Sequence, residues 1–387
     1  MHVKLIDPSA FTPPYDRALA AALAAEGAEV ELITSKFTYG PVPEPVGYEV
    51  SYDFYRRPPR RARRLGKAVR HVPDMRRLRQ KIEAAPEPMV THYQWLTMPQ
   101  ADRRLLSNRR PRVMTAHYIL PPEPTSRQVK TARKVFGEMD AVIAHSERGG
   151  RRLVDEVGLP EERVRVIPHG AFDYLTRVPR EKALPKELRD PSPVWEEVDE
   201  PEAPVILFFG LLRPYKGIDV LLRAAEHLAA PRGEIAPELW IVGNPRMDLT
   251  DLKEQASKLP LDVRWVTRFI EDPEIPAIMR QADVLVLPYV DGEQSGVLYT
   301  GLAFGKAMVV SDVGGIGEVA REHEVARLVP PGDALALGRE LAELTRGDGA
   351  AAAREELAAR SRAAAEGPFA WDGIARQTMR LYEELLA

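Results

Sequence analysis

The stretch VLPYVDGEQSGVLYTGLAFGKAMVVSDVGGIGEV, residues 286–319, decides how this chain is read. An apolar strand over 284–287 ends at Pro288 and leads into an acidic loop, Asp291, Gly292 and Glu293. Ser295 is placed to cap a helix carrying the apolar run 297–304. Gly305 and Lys306 close that helix, since a left-handed glycine and a cation both suit its carbonyl end. A second strand, 308–311, runs into Gly314 and Gly315, with Glu318 at the next helix start. Strand, loop, helix, strand, Gly-rich loop, helix is the order of a parallel sheet, whose strands need crossover connections. Both loops lie at the carboxyl ends of strands, where open α/β sheets bind ligands. A helix N-terminus there offers free N–H groups and a positive dipole end to a phosphate.

Working outward, the length of 387 residues favours two domains with a large core. The absence of cysteine excludes disulfides and thiolate metal sites and fits a reducing compartment. The first strand begins at Val3, which leaves no room for a signal peptide, and no apolar run approaches the ~20 residues that span a bilayer. A cytoplasmic chain is the expectation. Residues 1–180 hold 31 basic against 21 acidic residues, and the remainder 23 against 36. A net +10 beside a net −13 argues for two domains with different partners, the basic one meeting something anionic.

The first half opens as a βαβ unit. Strands over 2–7 and 29–34 flank an Ala/Leu helix, 15–25, that Gly27 stops. The intervening loop PSAFTPPYD has no glycine, so it forms no close phosphate cradle. Residues 56–81 carry twelve Lys or Arg against one acid, Asp74, and Pro58, Pro59 and Pro73 divide them into short pieces. A solvated surface excursion, an anionic membrane surface and a phosphorylated acceptor all fit that charge. Nucleic acid fits least, because no Phe, Tyr or Trp interrupts the run to stack on bases. Strands follow at 88–92, 112–115, 140–144 and 163–167. They place His92 and His117 at strand ends on the edge of the first loop, while His145 and His169 read as structural.

Residues 181–204 read as a linker, and the second half repeats the pattern of the first. VILFFG (205–210) is a strand, RPYKG (213–217) a loop, and 218–229 an amphipathic helix. Further strands lie at 238–242 and 263–266, and an Ala-rich helix pair and a helix over 371–386 end the chain. The fold class is therefore α/β, with two Rossmann-like domains and an expected cleft between them.

GLLRPYKGIDVLL (210–222), together with GEQSGVLYTGLAFGKAMVVSDVGGIGEV (292–319), resembles the C-terminal domain of retaining glycosyltransferases of family 4, of the GT-B fold. DAVIAHSERG (140–149), VRVIPHGAFD (164–173), VARLVPPGDALAL (325–337) and FAWDGIARQTMRLYEEL (369–385) resemble other parts of the family in order. The resemblance implies an N-terminal acceptor-binding domain over 1–180, a nucleotide-sugar domain over 205–368, and a final helix, 369–387, returning to the first domain. Its stripe is expected to be Ile374, Met379, Tyr382 and Leu385.

The resemblance further implies transfer of a hexose from a nucleoside diphosphate sugar, UDP-sugar before GDP-mannose, with retention of configuration and no metal. No Asp-x-Asp metal signature occurs in the sequence. Arg213 and Lys216 would meet the diphosphate, and Glu293 the donor-sugar hydroxyls. Gly210, Ser295, Gly296, Val297, Thr300 and Tyr15 would shape the donor site. His117 would orient sugar and acceptor, with His92 and Tyr118 on the acceptor. Two positions depart from the family pattern: Thr300 and Gly301 stand where a second glutamate usually meets the ribose, and Leu211 where an arginine is frequent. The acceptor is expected to be a hydroxyl of a glycan, a glycolipid or another small molecule; the basic 56–81 segment points to a phosphorylated or lipid-linked one, in polysaccharide or glycolipid assembly at the inner face of the membrane. A sugar-nucleotide epimerase and a non-catalytic nucleotide-sugar or anionic-ligand binding protein are the competing readings.

Overall fold

The computed structural model describes residues 1–56, 63–121, 123–189, 203–229 and 235–387, with backbone alone over 63–69. The chain divides into two compact units, Met1–Gly170 with Pro368–Ala387, and Ala171–Gly367.

In the first unit, β1 (His2–Asp7), β2 (Glu29–Ser35), β3 (Glu49–Phe54), β4 (Met89–Tyr93), β5 (Arg112–Thr115), β6 (Ala141–Ala144) and β7 (Val164–Val166) form one parallel sheet. Its order is β3-β2-β1-β4-β5-β6-β7. Every residue of β4, β5 and β6 is buried, as strands covered on both faces require. Helices α1 (Pro13–Ala25), α2 (Arg63–Glu83), α3 (Pro99–Asp102), α4 (Ser126–Phe136) and α5 (Glu147–Asp155) connect the strands. The glycine-free loop after β1 is held by a carboxylate. Asp7 accepts the N–H groups of Ser9 and Thr12, while Ala10 takes the left-handed conformation, φ +49°, that glycine usually supplies.

Two expectations for this unit are corrected. Strand β3 has no counterpart in the sequence reading; of EVSYDF only Phe54 is buried, so the segment gives no apolar run. The basic segment is not a set of short pieces from residue 63 onward but one helix, α2, continuing through Pro73. A proline costs a helix one hydrogen bond. Here His71, Met75, Leu78 and Ile82 form a buried stripe at helical spacing that offsets it. Residues 57–62, with Pro58 and Pro59, lie outside the described residues.

The second unit holds a six-stranded parallel sheet: β8 (Val205–Phe209), β9 (Glu238–Val242), β10 (Val263–Val266), β11 (Val284–Leu287), β12 (Ala307–Ser311) and β13 (Arg327–Val329). Its order is β10-β9-β8-β11-β12-β13. The helices are α6 (Lys186–Arg189), α7 (Ile218–Ala225), α8 (Thr250–Ala256), α9 (Ile275–Gln281), α10 (Gly296–Ala303), α11 (Gly314–His323), α12 (Ala334–Thr345) and α13 (Ala350–Glu366). Helix α11 begins at Gly314, so Glu318 sits one turn inside it rather than at its start. Most of the stretch read as a linker lies outside the described residues.

The last helix, α14 (Trp371–Leu386), belongs to the first unit. It packs on α1 and ties to β4, where Tyr382 Oη and His92 Nδ1 lie 2.6 Å apart. Its buried stripe is Ile374, Ala375, Thr378, Leu381 and Tyr382. Met379 and Leu385, expected in that stripe, are half-buried beside it.

Candidate active site

In the second unit, the loops after β8, β9, β11 and β12 are joined by backbone contacts that only glycine permits. Gly243 (φ +155°) approaches the Gly210 carbonyl so closely that a Cβ would stand 1.6 Å from its oxygen. Gly217 (φ +68°) meets the Pro288 carbonyl, where a Cβ would stand 1.9 Å away. The Val290 N–H donates to Tyr215 O at 2.9 Å, and the Gly315 N–H to Glu293 O at 2.9 Å. A Cβ on Gly314 (φ +49°) would lie 2.1 Å from Gly292 O. Four strand ends thus converge on one rigid rim.

Lys216 lies inside that rim, 7% exposed. Its ammonium donates to Tyr289 Oη at 2.6 Å, and Tyr289 Oη lies 3.0 Å from Ser295 Oγ. A Cβ on Gly210 would stand 3.3 Å from Lys216 Nζ and 3.1 Å from Val297 Cγ2, so Gly210, Lys216 and Val297 share one small space. Among the described residues, no carboxylate stands within 4.0 Å of Lys216 Nζ. A buried ammonium needs partners. This one has a phenol as its hydrogen-bond partner, and the positive N-terminal end of α10 beside it adds to a charge left for an anion.

The other expected donor residues are placed unevenly. Ser295 stands at the N-cap of α10, but its hydroxyl does not cap the helix; it turns to Tyr289 instead. Gly296 is exposed at the first turn, with Phe172 behind it. Glu293 is half-buried in the loop joined to Gly315. Arg213 is exposed on the rim. Thr300 is buried, and its hydroxyl donates to Gly296 O at 2.9 Å, four residues back on its own helix.

In the first unit, the strand order β4-β5-β6-β7 sets four histidines side by side at one sheet edge. The rings of His117 and His145 lie 5.3 Å apart, as do those of His145 and His169. Tyr15, buried at the start of α1, touches all three, at 4.7 Å from His117, 5.3 Å from His145 and 4.8 Å from His169. Trp95 stacks on His117 at 5.3 Å and 13°. His117 Nε2 lies 2.9 Å from Gln94 Oε1, and Gln94 Nε2 lies 3.3 Å from His92 Nε2. An amide oxygen only accepts, so Nε2 of His117 carries its proton and Nδ1 keeps a lone pair. His92 is buried between Tyr382 and Thr115, away from any surface an acceptor could reach. Its burial does not fit the expected acceptor contact, and its link toward His117 runs through Gln94. Tyr118 is 55% exposed.

Burial is the chief cause that lowers these histidines, to about 3 for His92 and about 4 for His145. His117 and His169 fall well below the ordinary value for the same reason, with neighbouring imidazoles adding to it. The row is therefore neutral at pH 7.

Tyr289, Gln94 and Trp95 escaped the sequence reading. Each sits in a segment already singled out, PYV after β11 and HYQWL after β4, but only pairing with a distant residue marks it. Among the described residues, no group of His, Asp and Glu is arranged to hold a metal ion.

Residues 17–171 match the family described as Glycosyltransferase Family 4, and residues 203–346 that described as Glycosyl transferases group 1. A phosphatidyl-myo-inositol mannosyltransferase of Mycobacterium leprae is 37% identical over 180 residues, 46% of this chain and 46% of that protein. A D-inositol 3-phosphate glycosyltransferase of Nocardia farcinica is 29% identical over 215 residues, 54% of this chain and 45% of that protein. The chain thus spans about half the length of the curated relatives it matches. Among solved structures, a sucrose-phosphate synthase from Thermosynechococcus elongatus superposes with a TM-score of 0.73 at 19% identity, covering 100% of this chain and 99% of that one. HepE of Anabaena in complex with UDP-glucose superposes with a TM-score of 0.70 at 18% identity, covering 100% of both chains. With both halves matched in order on this shared architecture, the chain belongs to glycosyltransferase family 4 and has the GT-B fold.

Proposed function

We propose that the chain is a retaining, metal-independent hexosyltransferase that moves a sugar from a nucleoside diphosphate to an acceptor hydroxyl. The observation that carries this reading is buried Lys216, held by Tyr289 beside the start of α10 with no carboxylate within reach among the described residues. Preorganised cations and N–H donors aimed at a leaving diphosphate stabilise the charge that develops as the glycosidic bond breaks. Lys216 and the N–H groups of Gly296 and Val297 would hold the phosphates, Arg213 their outer oxygens, and Glu293 the donor-sugar hydroxyls. The second unit is then the nucleotide-sugar domain and the first the acceptor domain.

In this reading His117, neutral and tautomerically fixed, orients the acceptor hydroxyl by accepting its hydrogen bond at Nδ1. The proton leaves to the departing phosphate on the same face, so configuration is retained and no protein nucleophile is used. Thr300 supports the fold of α10 and leaves the ribose to other groups. UDP-sugar is the favoured donor and GDP-mannose the next. The names of the two relatives, one on phosphatidyl-myo-inositol and one on inositol 3-phosphate, favour a phosphate-bearing polyol as acceptor, free or lipid-linked.

A thermal-shift screen with UDP-, GDP- and ADP-sugars tests the reading. A donor at a hundred times its dissociation constant adds about 2.7 kcal/mol of stability. One nucleotide should raise the melting temperature, and Lys216→Ala should remove the response. No response to any of them overturns the proposal. Conversion of the donor to another sugar nucleotide, without release of nucleoside diphosphate, would make the protein an epimerase.

A further inference from the structure

Helix α4 carries two adjacent stripes. Arg127, Lys130, Thr131 and Lys134 follow one another at helical spacing, and Gln128, Ala132, Val135 and Phe136 form the next face round. The second face walls an apolar groove of about 490 Å³, completed by Leu96, Met114, Ile119 and Leu120. That volume is in the range of sites that take a small organic ligand, roughly 300–1,000 Å³. The groove starts at Trp95 and Tyr118, and Trp95 is the indole stacked on His117.

The first stripe of α4 faces the end of α3 across a separate hollow of about 240 Å³, lined by Arg103, Arg104, Arg127, Lys130 and Lys134. Gln100, Arg127, Thr131 and Val135 line both spaces, so hydrocarbon-like wall and cationic rim are continuous. Arg103 has a carboxylate neighbour, Glu138 at 3.5 Å. Among the described residues, none lies within 4.0 Å of Arg104, Arg127, Lys130 or Lys134. Four unneutralised cations in one hollow repel one another, and an anion relieves that repulsion.

We propose that this α3–α4 face seats a lipid-linked acceptor at an anionic membrane surface: the acceptor's hydrocarbon chain lies in the groove, its head group reaches the Trp95–His117 end, and the cationic rim meets the phosphates of the surrounding lipids. The proposal rests on the transferase reading for the head group's role. A lipid surface accounts for both halves of the face, since a free phosphate uses only the cations and an apolar peptide only the groove. It also moves the membrane contact expected from the basic segment 56–81 to a different pair of helices.

The test is co-sedimentation of the full chain with vesicles of phosphatidylglycerol in phosphatidylcholine, against phosphatidylcholine alone. The wild type should bind the anionic vesicles and not the neutral ones. The variant R104Q/R127Q/K130Q/K134Q, with an unchanged melting temperature, should bind at least tenfold more weakly, whereas R76Q/R77Q/R79Q on α2 should bind as the wild type does. Absence of wild-type binding, equal binding by the α4 variant, or loss confined to the α2 variant overturns the proposal. For the groove, Ala132→Trp should raise KM for dipalmitoyl phosphatidylinositol at least tenfold and leave dibutanoyl phosphatidylinositol unchanged, with Ala132→Met intermediate. Equal effects on both chain lengths overturn the groove assignment. The sugar-nucleotide thermal shift separates the two readings: a response to donor without vesicle binding removes the lipid seat alone, and vesicle binding without any donor response removes the transferase reading.

Discussion

The rim around Lys216 and the histidine row around Tyr15 stand at the same place in two sheets of the same kind, the carboxyl ends of parallel strands, yet they treat charge in opposite ways. Around Lys216, glycines at positions 210, 217, 243 and 314 let the loops approach too closely for any side chain between them, and a cation is kept inside with a phenol as its partner. Around Tyr15, large rings fill the edge, and burial strips the imidazoles of charge. The first arrangement suits a dianionic leaving group and the second a neutral hydroxyl. The same topology therefore yields two chemistries, set by whether small or large residues occupy the loops.

The largest expected effect comes from removing the cation. Lys216→Ala should lower kcat by about 10²–10³, the cost of one donor to a developing anion. His117→Ala should cost about tenfold, mostly in acceptor KM. Equal losses in steady-state kinetics would break the division of roles.

Next is the glycine rim. Gly217→Ala should destabilise the protein by about 2–4 kcal/mol in urea unfolding, from a left-handed φ and a clash with Pro288 O. Gly332→Ala, with φ +81° and nothing within 4 Å, isolates the backbone strain and should cost about 1 kcal/mol. If the two cost the same, close approach is not what rigidifies the rim.

The histidine row gives a pH signature. His145 has a folded pKa of about 4, below its ordinary value near 6.5, so the unfolded chain binds the extra proton first. Its contribution is complete above about pH 6.5 and is lost as pH falls toward 4, on the order of 3 kcal/mol. The stability difference between wild type and His145→Leu isolates it from Asp7 and Asp16, whose buried carboxyls are raised and act in the opposite sense. A difference independent of pH between 7 and 4 would mean the row is open to water.

Smaller effects sharpen the donor side. Tyr289→Phe removes the oxygen between Lys216 and Ser295 and should raise donor KM about tenfold, the worth of one hydrogen bond to a charged group. Thr300→Val should change donor KM less than about twofold, because its hydroxyl is spent on Gly296 O. A tenfold rise would return Thr300 to the ribose.

Much of the architecture was legible because parallel strands buried on both faces read as continuous apolar runs, as VILFF of β8 and VLVL of β11 do. Strand β3 was not legible, since an edge strand with half-exposed residues carries no such run. Helix α2 was misread because Pro73 is a strong local signal, overridden by a buried stripe that only the sheet beneath it explains. At the site, the family resemblance singled out Lys216, Gly210, Ser295 and Val297, and the structure brings them together in one rim. Their roles were less legible: Ser295 turns from its helix to Tyr289, and His92 faces inward to Tyr382, 290 residues away in sequence.

What the sequence determined by itself is the alternation of strand and helix, and with it which loops fall at the ligand-binding edge, because side-chain period and glycine placement are local properties. What tertiary structure alone decided is neighbourhood. Strand order made His117, His145 and His169 adjacent, and close packing joined Lys216 to Tyr289 and Trp95 to His117. Burial then set the charge of the histidines, and burial depends on everything that surrounds a residue, which no local spacing encodes.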